Sequence, residues 1–219
     1  MARSTPSHAL SDGPPLDCAL CPRLVGYRVQ NQAAWPEWHN APVPSFGSLD
    51  ARLLIVGLAP GVKGANRTGR PFTGDYAGDL LYRTLGRFGF ARGKYDKRPD
   101  DGLSLVDCRI ANAVRCVPPE NKPVGAEIAS CRPFLVAEIA AMKKLRIVVA
   151  LDSIAHNTVL STLGERRASF AFGHAAMHEL SNGLVLADSY HCSRYNTNTG
   201  RLTEAMFEDV FREVRSRLS

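Results

Sequence analysis

The sequence predicts an α/β protein: a mostly parallel sheet of four strands with helices on both faces, a three-layer α/β/α arrangement. Three observations carry this. Short apolar runs that close on Gly or on a polar residue recur along the chain, as buried parallel strands do. Stretches with helical spacing of apolar residues separate them, and strand–helix alternation implies parallel pairing. The composition, 45% hydrophobic and 22% charged over 219 residues, is that of a globular chain with one substantial core.

The elements follow in order. Residues 1–16, rich in Pro, Ser and Gly, read as a flexible segment, leaving 17–219 as one domain. Residues 31–48 hold Trp35 and Trp38 among Pro36, Pro42 and Pro44 and read as ordered but irregular. Residues 52–57 form a buried strand ending at Gly57, and a long loop, 59–73, follows. A helix is expected over 77–88, where Leu80, Leu81, Leu85 and Phe88 make one stripe. A charged loop (91–102), a strand (106–114) and a helix (124–142) ending before Lys143 and Lys144 come next. Residues 146–151 are the third strand, Asp152 caps the next helix, 184–190 are the fourth strand, and the last helix starts near Thr203.

The cysteines are Cys18, Cys21, Cys108, Cys116, Cys131 and Cys192. Residues 1–11 lack the apolar stretch of a secretory signal, so the expected compartment is the cytoplasm (the nucleoid, in a prokaryote) and disulfides are not expected. Cys18 and Cys21 form a C-x-x-C; Cys116 and Cys131 stand singly. Four thiolates can hold zinc or an iron–sulfur cluster, and one close pair with two single cysteines suits a cluster better than the two pairs of structural zinc. Cys108 reads as a small core residue. Cys192 follows His191, but neighbours on extended chain face opposite ways, so they do not make a nucleophile pair.

Ligands of parallel α/β folds bind beyond the carboxyl ends of the strands. Three loops leave such ends with unusual residues: Gly57-Leu58-Ala59-Pro60-Gly61, the chain from Asn112, and His191-Cys192-Ser193-Arg194-Tyr195-Asn196. The first is neither a Walker A loop nor a dinucleotide fingerprint. Its continuation brings Phe72, a stacking face for a flat ring, and Asp75, which reads as a helix N-cap or as a functional carboxylate. Asn112 offers an acceptor and two donors to a base edge. Asn121, in a Pro-rich turn, reads as a turn residue. His191 could donate to an oxygen on which charge develops. His174 and His178 have no supporting context.

Together, Gly57-Leu58-Ala59-Pro60-Gly61, Gly69-Arg70-Pro71-Phe72-Thr73-Gly74-Asp75, Asn112-Ala113-Val114-Arg115-Cys116 and His191-Cys192-Ser193-Arg194-Tyr195-Asn196 resemble the family 5 (type B) uracil-DNA glycosylases, from Cys18 to about Thr203. The resemblance implies a uracil-DNA glycosylase-like fold and a 4Fe-4S cluster on Cys18, Cys21, Cys116 and Cys131. It implies hydrolysis of the N-glycosidic bond of uracil, and of other deaminated or modified bases, after base flipping in base excision repair. Gly57, Ala59 and Gly61 would line the pocket. Phe72 would stack on the base, Asn112 pair with its edge, and His191 stabilise its developing charge. Asp75 or Asn121 would position water. Ser193 would hold phosphate, and Arg194 and Tyr195 would fill the gap in the stack. Family 4 enzymes carry an acidic residue where this chain has Leu58, and family 1 enzymes their water-activating Asp where it has Ala59, which shifts attention to Asp75.

The net charge of +6 fits a polyanionic partner. The expected partner is double-stranded DNA, with single-stranded DNA also open, bound by a monomer without a membrane. A non-catalytic iron–sulfur nucleic-acid-binding protein would keep the cysteines and the charge without needing Phe72, Asp75 and His191 together. A small-molecule nucleoside hydrolase would keep the pocket without an intercalating loop.

Overall fold

A computed structural model describes residues 13–219. Residues 1–12 of the expected flexible segment lie outside the described residues. Helix α1 (Pro22–Ala34) and the short strand β1 (Phe46–Gly47) precede strand β2 (Leu53–Gly57). A one-turn helix α2 (Ala65–Thr68) and helix α3 (Tyr76–Arg87) lead to strands β3 (Ala91–Arg92) and β4 (Ser104–Leu105). Strand β5 (Cys108–Asn112), helix α4 (Gly125–Ala141), strand β6 (Ile147–Leu151) and helix α5 (Ser153–Thr162) follow. Strands β7 (Met177–Glu179) and β8 (Val185–Ser189), the short helix α6 (Arg194–Asn198) and helix α7 (Glu204–Leu218) complete the chain.

The main sheet runs β1-β5-β2-β6-β8-β7. The four expected strands are its parallel centre, β5-β2-β6-β8. It is wider than expected by two short antiparallel edges, β1 on β5 and β7 on β8, too short to show a pattern in the sequence. Three irregular stretches also carry structure: α1 reaches into 31–48, α2 lies in the 59–73 loop, and β3 and β4 pair across the charged loop 91–102.

The central strands bury both faces, which is why they read as continuous apolar runs. Leu53, Ile55, Ile147 and Val149 point into one core with Leu81 and Leu85 of α3 and Phe207, Phe211 and Val214 of α7. Leu54, Val56, Val148 and Ala150 alternate into the other with Leu135 of α4 and Val159 and Leu160 of α5. Cys108 and Cys192 are buried in the first core. At the starts of three of the four expected helices a side chain caps the first turn: Asp75 accepts from the Gly78 amide, Asp152 from Ala155 at 2.7 Å and Thr203 from Met206.

One buried ion cluster joins sheet to helix. Glu138 of α4 accepts from Arg109 of β5 at 2.6 Å and from Arg115, which follows β5. Burial alone would raise the Glu138 carboxyl, but the guanidiniums of Arg115 and Arg109 hold it below the usual range. The cluster fixes the path of β5's continuation, with Cys116, against α4, with Cys131. Removing one partner of such a set strands charges in the core. Glu138→Gln should lower the free energy of unfolding in urea by about 3 kcal/mol.

Candidate active site

A cleft of about 350 Å³ opens beyond the carboxyl ends of the parallel strands. Its wall includes Leu58, Ala59 and Gly61 after β2, Phe72, Asp75 and Tyr76 before and at the start of α3, and Asn112 ending β5. Asn121, Asp152, His191, Ser193 and Arg194 complete it. All three predicted loops thus meet in one place. Gly57 and Tyr195 are not part of the wall. Tyr195 is 73% exposed on α6. Gly57 lies behind the wall, and its contribution is the space it leaves. A Cβ there would come within 2.5 Å of both Asn112 Oδ1 and the tip of the Phe72 ring.

Phe72 is held in a conformation a bulky residue seldom adopts. Its φ is +53°, and its ring is nearly buried. The surroundings impose this. The Tyr95 hydroxyl donates to the Phe72 carbonyl at 3.2 Å, and the Tyr82 hydroxyl donates to the Pro71 carbonyl at 2.5 Å. Arg70 donates both terminal nitrogens to Asp101 at 2.8 Å and its Nε to Thr73. That buried fork holds the Asp101 carboxyl far below the usual range and ties the Phe72 turn to the charged loop. A Cβ at Gly78 would lie 1.8 Å from the Phe72 carbonyl oxygen, so α3 can approach this closely only through a glycine.

Asn112 is buried, and its Oδ1 has no hydrogen-bond partner. An orphaned buried acceptor costs about 1–3 kcal/mol, a cost that a donor entering the cleft would remove. The His191 ring lies 5.9 Å from that of Phe72, 29° from parallel. Asn196 donates to the His191 carbonyl at 2.8 Å, fixing the backbone there. Burial pushes the His191 imidazole down to about 4, so it is neutral at pH 7.

Asp75 does two things at once. Oδ1 accepts from Gly78, so the helix-cap reading holds, while the carboxylate also lines the cleft. Burial raises its pKa against the pull of the Gly78 and Ala77 amides. The position a Cβ on Gly61 would take lies 3.2 Å from Asp75 Oδ2 and 4.0 Å from Asn121 Oδ1, so both oxygens lie near one point of the cleft. Asn121 lines the cleft from a tight turn, with a φ of +56°. Ser193 Oγ accepts from the Asn196 amide, leaving its O–H to donate, and the Arg194 guanidinium lies 5.3 Å from the Tyr76 ring centre.

The sequence reading missed Asp152 and Tyr76 as site residues. Asp152 leaves the carboxyl end of β6, so the strand-end rule that found the other three loops also covers it. Its φ of +119° with ψ of 172° falls in a region almost reserved for glycine. Burial lifts its carboxyl to about 6.

The cleft is that of an α/β protein built to take a flat heterocycle with a polar edge. The model of the Uracil DNA glycosylase superfamily matches residues 44–215. The Type-5 uracil-DNA glycosylase of Thermus thermophilus is 44% identical over 204 residues, covering 90% of this chain and 92% of that protein. That of Pyrobaculum aerophilum is 40% identical over 204 residues, covering 91% and 88%. That of Mycobacterium tuberculosis is 43% identical over 207 residues, covering 90% and 77%. The chain belongs to the uracil DNA glycosylase superfamily and, within it, to the type-5 family.

Asp152 yields a prediction that concerns the fold alone. Asp152→Gly removes backbone strain of about 1–3 kcal/mol and sacrifices a few tenths as a helix cap. The folded pKa of about 6 lies above the ordinary 3.8, so the stability tied to the protonated form is present below pH 4 and lost as pH rises through 6. The variant should therefore unfold at a higher temperature than the parent, with the larger gain at pH 8 and the smaller at pH 4.

Proposed function

We infer that the protein is a monofunctional uracil-DNA glycosylase that hydrolyses the N-glycosidic bond of uracil in DNA. The observation that carries this is one cleft in which the Phe72 ring, the unpartnered Asn112 amide and the neutral His191 imidazole converge. The family and its Type-5 relatives support it; neither the non-catalytic nor the nucleoside-hydrolase alternative calls for this convergence and this kinship together. DNA is the partner. Duplex DNA bound by a monomer is our reading, supported by the +6 charge and by Ser193 and Arg194 at the mouth of the cleft. Among the described residues no helix is long and apolar enough to cross a membrane.

The geometry supports the following chemistry. A flipped uracil stacks on Phe72. Asn112 Oδ1 accepts from its ring N–H while the amide nitrogen donates to the neighbouring carbonyl oxygen. The C1′–N1 bond lengthens toward an oxocarbenium-like state, and negative charge builds on the departing base. His191, neutral and desolvated, donates to the base oxygen that takes up this charge. Asp75, with Asn121 near it, orients the water whose oxygen bonds to C1′. The bond to the base breaks with its electron pair leaving on the base, and the water's proton passes by way of the Asp75 carboxylate to solvent. Arg194 of the cleft wall and the exposed Tyr195 beside it would fill the gap in the stack. The apolar pair Leu58–Ala59 leaves that wall uncharged, which supports release of other deaminated or oxidised bases as well.

We propose a 4Fe-4S cluster on Cys18, Cys21, Cys116 and Cys131. The residues fit such a group. All four line one apolar recess with Leu24, Val114 and Phe134, and the Arg115 amide donates to Cys131 Sγ at 3.4 Å. Among the described residues, no three of these sulfurs lie within 4.8 Å of one another. A single zinc, with bonds of about 2.3 Å, would need its four sulfurs drawn tightly together. The cluster would pin α1 to the chain after β5 and to α4, and no step of the reaction runs through it.

Two outcomes are expected. In single-turnover assays on a uracil-containing oligonucleotide followed by alkali, the protein should cleave at uracil. His191→Ala and Asp75→Asn should each be about 100-fold slower, by the usual worth of an oxyanion donor and of a positioned carboxylate. Because burial lowers the His191 pKa to about 4, the imidazole stays neutral and its contribution should be constant across neutral pH. Intact strands at every uracil, or hydrolysis of free deoxyuridine alone, would remove the reading. Separately, anaerobically purified protein should be brown, with broad absorption near ~400 nm and about four irons and four sulfides per chain. Zinc without sulfide at these cysteines would refute the cluster.

A further inference from the structure

On the far side of the β8 end from the cleft lies a second set of polar groups that the glycosylase chemistry does not use. Asp188 of β8 is fully buried. Its Oδ1 lies 2.7 Å from His156 Nδ1 on α5, and its Oδ2 lies 3.0 Å from His178 Nε2 on β7. These ligand atoms all lie within 4.8 Å of one another. His156 Nε2 faces the Phe170 carbonyl oxygen at 3.0 Å. His156 is buried, and His178 keeps 14% of its side chain exposed.

We propose that His156, His178 and Asp188 form a binding site for a divalent transition-metal ion, zinc by the nature of its donors. Both ring nitrogens of His156 face oxygen acceptors. A neutral imidazole has one N–H, so one of those contacts would set lone pair against lone pair. A metal at Nδ1 removes the conflict: Nε2–H donates to Phe170, and the Nδ1 lone pair goes to the ion. That is how metal-bound histidines are commonly oriented, their second nitrogen donating to a backbone carbonyl. A proton on His156 could also remove it, giving an imidazolium–carboxylate network in place of a metal site. The other contacts favour the metal. His178 brings a second imidazole nitrogen to the other oxygen of the same carboxylate, which a single ion pair does not need. Two imidazoles and one carboxylate with an open position suit zinc. The Gly173 amide donates to Asp188 Oδ2 at 3.3 Å and orients the carboxylate. The partly exposed edge of His178 gives the ion its entry and a water its place.

The three donors come from three elements, and Asp188 precedes His191 by three residues. An ion here would lock the edge strand β7 and helix α5 to β8 beneath the loop that carries His191.

The test uses the full-length protein with its iron counted separately. Zinc is measured by elemental analysis in the parent, in His178→Gln and in Asp188→Asn. After treatment with a chelator, thermal unfolding is followed with and without added zinc ion. About one zinc per parent chain is expected, lost in both variants at unchanged iron content. Added zinc should raise the unfolding midpoint of the parent by several degrees and leave that of His178→Gln unmoved. Zinc held on the cysteines would survive both substitutions and is thereby distinguished. Should Asp188→Asn fail to fold, His178→Gln alone decides, since its side chain is not fully enclosed. Equal zinc content in parent and His178→Gln, or a midpoint in the parent that added zinc does not move, would overturn the site and leave an imidazolium–carboxylate network only.

Discussion

Gly57 closes β2 directly opposite Asn112 of β5, and the room a side chain would need there is filled from both sides, by the Asn112 amide and the Phe72 ring. Everything else in the cleft is arranged around that vacancy. Phe72 reaches it only with a left-handed backbone, which has to be enforced. The Tyr82 and Tyr95 hydroxyls hold the carbonyls of Pro71 and Phe72, the Arg70–Asp101 fork anchors the turn, and Gly78 lets α3 close in behind. Strain of this kind persists only where the surroundings over-determine it, and here both α3 and the charged loop do so. The site is thus preorganised by packing before any substrate enters.

The electrostatics follow from the same enclosure. A cleft walled by Leu58, Ala59, Pro60 and the Phe72 ring desolvates whatever titratable group it contains. The consequences have opposite signs for base and acid. His191 is held uncharged, with one ring N–H left to donate and no positive charge to be kept desolvated in the cleft. Asp75 is raised, but two helix amides oppose the rise and hold its carboxylate in place. A helix start therefore serves two purposes, and an N-cap assignment does not count against a functional one.

Much of this was legible in the sequence because the central strands are buried on both faces and so read as plain apolar runs. The loops beyond their ends then had to converge. What escaped notice did so for identifiable reasons. Helix α1 buries Leu24, Arg28 and Asn31 along one stripe, so its inward face is two-thirds polar and carries no hydrophobic period. Strands β1 and β7 span two and three residues, too few for alternation to register. Asp152 looked complete as a helix cap, yet its backbone angle, invisible in sequence, marks it as unusual. His178 had no partner in sequence because its partner, Asp188, becomes its neighbour only through the antiparallel pairing of β7 with β8.

The carboxyl end of the sheet also explains why two polar centres can lie so close without merging. Successive residues of a strand face opposite ways, but the chain turns after β8, so that Asp188 and Cys192, four residues apart, end on opposite sides of the sheet. Asp188 turns toward α5 and the β7 edge, and Cys192 sits deep in the core between α3 and α7. His191, between them in sequence, is left to face the cleft. Helix α5 divides in the same way: Asp152 at its start lines the cleft, and His156, one turn later, meets Asp188 behind it. One helix and one strand end thus serve both centres, each through a different face, so a change in the packing around Asp188 reaches His191 through three residues of backbone rather than through any shared side chain.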